Sequence, residues 1–115
     1  MKFLCLVYFE GDPFAGLSKE QREALDRSSL AYDEGLKARG NFIAAEALQG
    51  PGKAVTVRIR DGKPVTTDGP VAKTKEYLGG FILITAKDTD EAVQIASKIP
   101  VGQYASVEVR PIFEF

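Results

Sequence analysis

Two short runs restrict the fold more than anything else in the chain. Met1 to Phe9 carries apolar side chains at both parities, Phe3, Cys5, Val7 and Phe9 on one side and Leu4, Leu6 and Tyr8 on the other, and Gly80 to Ala86 repeats the pattern. Successive side chains of a strand point to opposite faces, so a strand apolar at both parities has both faces covered. Each run is therefore expected at the centre of a sheet with material packed on either side.

The segments around them alternate in type. Glu10 to Gly16, with two glycines and Pro13, reads as a loop. Ser18 with Gln21 three residues later forms a capping box, in which each side chain satisfies the other residue's free backbone N–H. Leu25, Ser29, Tyr32 and Leu36 then recur at heptad-like spacing up to Gly40, which predicts the first helix. Asn41 to Leu48 reads as a strand and Gln49 to Lys53 as a turn. Ala54 to Arg60 alternates, with Val55, Val57 and Ile59 expected to point inward. Asp61-Gly62 is a type I′ hairpin signal that folds Lys63 to Thr67 back as a partner strand.

Asp88 and Glu91 repeat the capping box, and Ala92, Ile95, Ala96 and Ile99 fall on one helical face before Pro100 and Gly102 stop the second helix. Tyr104 to Arg110 is the last strand, with Ala105, Val107 and Val109 on one face and Ser106, Glu108 and Arg110 on the other. Pro111 cannot donate to a ladder, which puts this strand at a sheet edge. The order β-α-β, hairpin, β-α-β is that of a ferredoxin-like α+β sandwich with an inserted hairpin. At 115 residues it is expected to be one domain, 1–115. Two helices cover one face of such a sheet. The other apolar face calls for a partner, and a homodimer through the sheet faces is expected.

Composition removes several classes of function. Fifteen basic residues stand against sixteen acidic ones without a basic run, so no nucleic-acid partner is expected. The N-terminal apolar run ends at Glu10 without a small-residue cleavage site, and no run approaches the ~20 residues that span a bilayer, so the expected location is cytoplasmic and no membrane partner is expected. Cys5 is the only cysteine, which rules out an intrachain disulfide and suits a reducing compartment. Histidine is absent, and with it any His base, His triad or His-ligated metal. No Gly-rich phosphate motif precedes a helix. No cofactor or metal is expected.

The polar candidates cluster around one loop, Asp68 to Glu76. In the Asp68-Gly69-Pro70 corner, Asp68 is either an Asx-turn residue or a catalytic general base and ligand anchor, and both roles are compatible. Lys75 is a candidate anion clamp, with Lys73 and Glu76 beside it. Glu46 interrupts an apolar strand, where a buried carboxylate would need partners, and a strand-end or edge position explains it equally well. Glu108 and Arg110 share a face of the last strand and either pair with each other or add a carboxylate and a bidentate donor to a cleft.

The stretch T-D-G-P-V-A-K-T-K-E-Y-L-G-G-F, Thr67 to Phe81, resembles the signature of the DGPF-type branch of the YCII-related proteins. The opening M-K-F-L-C-L-V-Y, A-E-A-L-Q around Glu46, V-T-V-R before the hairpin and the closing S-V-E-V-R-P-I agree with that branch. The resemblance implies the fold of the dimeric α+β barrel superfamily, paired through its sheets. The wider family is associated with a His-Asp pair, of which only Asp68 is present here, followed by Gly69, Pro70, Lys75 and Glu76. Val71 stands where the branch has Phe, and Lys73 where it has an acidic residue. Two functional readings follow: binding of a small polar ligand or acid/base catalysis around the Asp68 loop, with Glu46, Gly69, Pro70, Lys75, Glu108 and Arg110 as supports, or a non-enzymatic regulatory module of the kind linked in that branch with extracytoplasmic-function sigma factors.

Overall fold

In the computed structural model, which describes residues 1–115, the two doubly apolar runs become β1 (Lys2–Glu10) and the inner part of β5 (Glu76–Thr85). They pair antiparallel from Lys2 opposite Thr85 to Glu10 opposite Glu76, with an irregularity between Val7 and Tyr8. Strand β2 (Phe42–Ala47) adds to β5, and β6 (Ser106–Pro111) adds to β1, giving the order β2-β5-β1-β6. Both apolar runs are thus central, and Pro111 lies on an edge strand as its missing N–H requires. Tyr104, expected in the last strand, belongs instead to a 3-10 turn over Pro100–Tyr104, where Pro100 presets the backbone and Gly102 N–H bonds back to Ile99.

Directly opposed residues of an antiparallel ladder share a face. Phe3 opposite Ile84, Cys5 opposite Ile82 and Val109, and Val7 opposite Val107 define the inner face. Helices α1 (Lys19–Ala38) and α2 (Thr89–Ala96) cover it, and Phe3, Cys5, Leu36, Ile84 and Ala92 are completely buried between the layers. Burial pushes the Cys5 thiol up to about 11, so it stays protonated and serves as a small core side chain.

The capping signals are realised to different degrees. At α1 the Gln21 N–H donates to Ser18 Oγ at 3.1 Å and the Ser18 N–H to Gln21 Oε1 at 2.8 Å. At α2 the Glu91 N–H donates to Asp88 Oδ1 at 2.9 Å, but the Glu91 carboxylate accepts from the Lys87 N–H at 3.2 Å instead of from the cap residue. Neither helix is long and apolar enough to cross a membrane.

The outer face carries the other parity. Leu4 lies opposite Leu83 and Arg110, and Leu6 opposite Phe81 and Glu108, while Glu46 faces Phe81 from β2. No helix covers these side chains.

Strands β3 (Val55–Arg60) and β4 (Lys63–Asp68) form a separate two-stranded ribbon. Asp61 and Gly62 have φ of 53° and 74°, the two positive angles that a type I′ turn needs. The inward placement of Val55, Val57 and Ile59 is overturned: they are 60%, 58% and 61% exposed, and Thr56 on the opposite parity is the buried residue. Alternation assigns residues to a common face but cannot say which face meets the body, and this ribbon is turned with its valines outward. Its projection swells the radius of gyration to 16.1 Å, against about 13 Å for a compact chain of this length.

Candidate functional site

The inner face is interrupted at Gly79-Gly80. A Cβ on Gly79 would collide with the Phe9 ring, and one on Gly80 would sit 2.9 Å from the Glu46 carbonyl oxygen. Glycine is therefore required at both positions, and the sheet is thin there. Phe9 folds across Gly79 and meets Phe14 edge-on at 5.3 Å, and Phe14 meets Tyr104 in the same way at 5.8 Å. The Phe9 and Phe14 rings wall one end of a cleft of about 490 Å³ between α1 and the glycine-floored end of the sheet. Ile99, Pro100 and Val101 border it as well.

The roof is a polar stripe of α1. Arg22, Asp26, Ser29 and Asp33 stand at i, i+4, i+7 and i+11, the spacing of one helical face, and all four line the cleft. The neighbouring stripe, Leu25, Tyr32 and Leu36, turns toward the layers, and only Leu36 becomes fully buried. The helix is anchored near its two ends. Arg22 Nη2 donates to the Phe14 carbonyl at 3.0 Å, and the Tyr32 hydroxyl donates to the Ile95 carbonyl of α2 at 2.5 Å.

Two groups on this wall are electrostatically displaced. Burial raises the pKa of Asp33, with Lys37 pulling it down and Glu34 adding to the rise. Burial also raises that of Tyr32, opposed by Arg39. The Tyr32 proton is committed to Ile95, so Asp33 is the group with a displaced pKa that is left for exchange with a ligand. Desolvation favours its neutral form and moves it toward the range in which a carboxyl can both give and take a proton.

Of the residues singled out from the sequence, only Glu46 borders this cleft. Asp68 ends β4 opposite Val55, exposed, and the ion pairs of the chain leave it out. Gly69, at φ 102°, is built into the ribbon's base, its N–H donating to Ala54 and its carbonyl accepting from the Thr56 hydroxyl, both at 2.7 Å. Pro70 and Val71 border an open depression shared with Tyr8, Leu78 and Ala54. Lys75 pairs with Glu10 at 3.4 Å, and the Arg110 guanidinium grips Glu108. Lys75 and Glu108 border a second open groove on the outer face. Glu46 stands exposed near the end of edge strand β2, the edge position its sequence context allowed, in one row with Phe81, Leu6 and Glu108. The structure thus brings Glu46, Glu108 and Arg110 to one sheet face and leaves Asp68 on the ribbon. Apolar spacing does not signal the α1 stripe, although the i, i+4, i+7, i+11 recurrence of Arg22, Asp26, Ser29 and Asp33 lies beside Leu25 and Tyr32 in the sequence.

Known proteins place this architecture. The family model described as YCII-related domain matches residues 1–115. An uncharacterised protein of Rhizobium meliloti (strain 1021) is 32% identical over 114 residues, 97% of this chain and 92% of the relative. Among solved structures, the 5-chloro-2-hydroxyhydroquinone dehydrochlorinase TftG of Burkholderia phenoliruptrix AC1100, in complex with 2,5-dihydroxybenzoquinone, superposes with a TM-score of 0.61 over 100% of this chain and 96% of that one, at 19% identity. That likeness shows the fold alone, a ferredoxin-like α+β sandwich.

Proposed function

The chain belongs to the YCII-related domain family, and within it we propose a small-molecule protein whose ligand lies in the cleft between α1 and Gly79-Gly80, with Asp33 as its acid/base group. The observation that carries this reading is a half-buried carboxyl of raised pKa lining a cleft of about 490 Å³, since ligand sites commonly span ~300–1,000 Å³ and gather such groups. Twelve of the twenty lining residues are hydrophobic, which favours a ligand with an apolar or ring-shaped body and a few polar substituents. Gly79 and Gly80 let its plane approach the sheet backbone, Phe9 and Phe14 offer ring edges, and Asp33, Asp26 and Ser29 accept from its hydroxyl or amine groups. Ionised Asp33 would take a proton from an acidic hydroxyl of the ligand and, once neutral, return it to carbon or oxygen.

The motif residues Thr67–Phe81 support membership of the DGPF-type branch within that family. The uncovered outer face supports pairing of two copies through their sheets, and the buried lone thiol suits a cytoplasmic setting. The test is a thermal-shift and calorimetric screen of small ring compounds, 2,5-dihydroxybenzoquinone and its catechol and hydroquinone analogues among them, on wild type, Asp33→Asn and Ser29→Trp. Ser29→Trp fills the cleft and is expected to abolish binding, and Asp33→Asn to weaken it by about tenfold, the loss of one charge-assisted hydrogen bond. Hits that bind all three proteins equally would place the site elsewhere.

A further inference from the structure

Arg22 is the only cation that lines the cleft, and its charge has no acidic partner. Asp26 stands one turn further along α1, at the spacing where an Arg and an Asp commonly pair. The ion pairs of the chain are nevertheless Lys37 with Glu34, Lys75 with Glu10 and Arg110 with Glu108. The guanidinium turns instead to the loop before the helix, where Nη2 donates to the Phe14 carbonyl at 3.0 Å, in the N-terminal direction in which helical side chains lean. A guanidinium carries a full charge and five N–H groups. One neutral carbonyl occupies a single donor and leaves the charge uncompensated. An arginine held in this way, beside an aromatic wall at the edge of an apolar cleft, is a preformed seat for an anion.

The polar stripe of α1 grades from open to enclosed. Arg22 and Asp26 are exposed, whereas Ser29 and Asp33 are half-buried. The other charged residues that line the cleft are Asp26, Asp33 and Glu46, so a negative group of the ligand is repelled from the rest of the cleft and meets an opposite charge only at Arg22. The same distribution gives a direction: charge at the open end, hydroxyl at the Asp33 end. It also gives a length. Arg22 and Asp33 stand at i and i+11, ~16 Å apart along the helix axis at ~1.5 Å per residue, and the arginine leans away from Asp33. A single ring with its substituents attached directly is too short to meet both. Between the two ends the lining is apolar, with Val7, Phe9, Leu25 and Ile82 around the Gly79-Gly80 floor.

We infer that the cleft takes an elongated aryl acid, a hydroxylated ring joined through a short chain or a second ring to a carboxylate, with Arg22 gripping the carboxylate at the open end and Asp33 meeting the ring hydroxyl at the enclosed end. This rests on the cleft reading proposed above and adds to it the ligand's charge, length and direction. A planar carboxylate matches the fork of a guanidinium, and Arg22 has the donors for such a grip beyond the one that Phe14 takes. Because the same guanidinium holds the Phe14 carbonyl, the residue that anchors the acid also fixes the aromatic wall. Arg22 is a specificity residue: it selects the acid over its neutral analogue and takes no part in the proton transfer assigned to Asp33.

The experiment measures by calorimetry the affinities of para-hydroxycinnamate and its methyl ester, and of the shorter para-hydroxybenzoate and its methyl ester, for wild type, Arg22→Gln, Arg22→Lys and Ser29→Trp. Gln keeps a side-chain N–H for the Phe14 carbonyl and removes the charge. Wild type is expected to prefer the cinnamate over its ester by about tenfold, and to show a ratio near one for the benzoate pair. The cinnamate ratio is expected to fall to about one in Arg22→Gln, to survive in part in Arg22→Lys, and to shrink with added salt. If the ester binds wild type as tightly as the acid, or the ratio is the same in Arg22→Gln, the inference is overturned, and the cleft reading stands as long as Ser29→Trp blocks both cinnamate probes. A benzoate ratio as large as that of the cinnamate overturns the assigned length. Uptake of neutral dihydroxybenzenes alone, with no cinnamate probe bound, also overturns the acid and leaves the cleft. Probes that bind Ser29→Trp as they bind wild type, or no binding by any of these compounds, overturn both.

Discussion

The β1–β5 pair and the β3–β4 ribbon obey the same local rules and end in opposite situations. Each is an antiparallel pair whose side chains alternate between faces, and each carries a line of apolar residues on one face. In the first, Phe3, Cys5, Ile82 and Ile84 vanish beneath two helices. In the second, Val55, Val57 and Ile59 look into solvent while Thr56 is buried. A period of two states which residues act together. Whether their common face is covered depends on elements distant in sequence.

The largest expected effect tests that contrast directly. Ile84→Ala should cost about 2–5 kcal/mol of unfolding free energy through lost burial and the cavity left behind, whereas Ile59→Ala, measured at concentrations where the chain is monomeric, should stay within about 0.5 kcal/mol. Urea denaturation of both variants decides it, and equal losses would mean that the ribbon packs inward after all.

A smaller effect is expected at the junction of sheet and cleft. Gly79→Ala forces a methyl group into the Phe9 ring, which must swing away from Phe14 at a cost of about 1–3 kcal/mol. Gly62→Ala on the ribbon meets no neighbouring atom and suffers from its positive φ alone, by about 1 kcal/mol. Comparison of the two melting curves separates a steric role for glycine from a conformational one.

The smallest effect concerns pH. Asp33 has a folded-state pKa raised by burial, so between its unfolded and folded values the native state binds more proton than the unfolded chain, and stability falls as pH rises through that window. Asp33→Asn should remove this part of the pH dependence and make the variant slightly more stable than wild type at neutral pH. Denaturation midpoints compared at acid and neutral pH report it, and parallel profiles for the two proteins would show that Asp33 is not desolvated.

Much of the fold could be read from residue order because its signals are local. The Ser18/Gln21 box, the Asp61-Gly62 turn, the Ala92, Ile95, Ala96 and Ile99 face and the edge position forced by Pro111 each depend on a few neighbouring residues, and each is found in place. The Asp88/Glu91 box was half realised, because Glu91 found the Lys87 N–H closer than that of the cap. The cleft was less legible. Its floor is two glycines, which carry no side chain to signal a role, and its roof is a polar helix stripe of the kind that ordinarily faces water. Glu46 and Asp68 stand out by their neighbours in sequence, but exposure is settled by neighbours in space.

The sequence by itself determined the strand and helix order, the two central strands, the type I′ ribbon, the absence of imidazole chemistry and the likeness to the YCII-related proteins. All of these rest on short-range geometry or on residue identity. Only the tertiary structure decided that Val55, Val57 and Ile59 face outward, that Phe9 closes over Gly79, and that Asp33 rather than Asp68 lines the cleft with its pKa raised by burial. Those outcomes depend on how layers meet and how much water they exclude, and neither quantity is carried by any single stretch of chain.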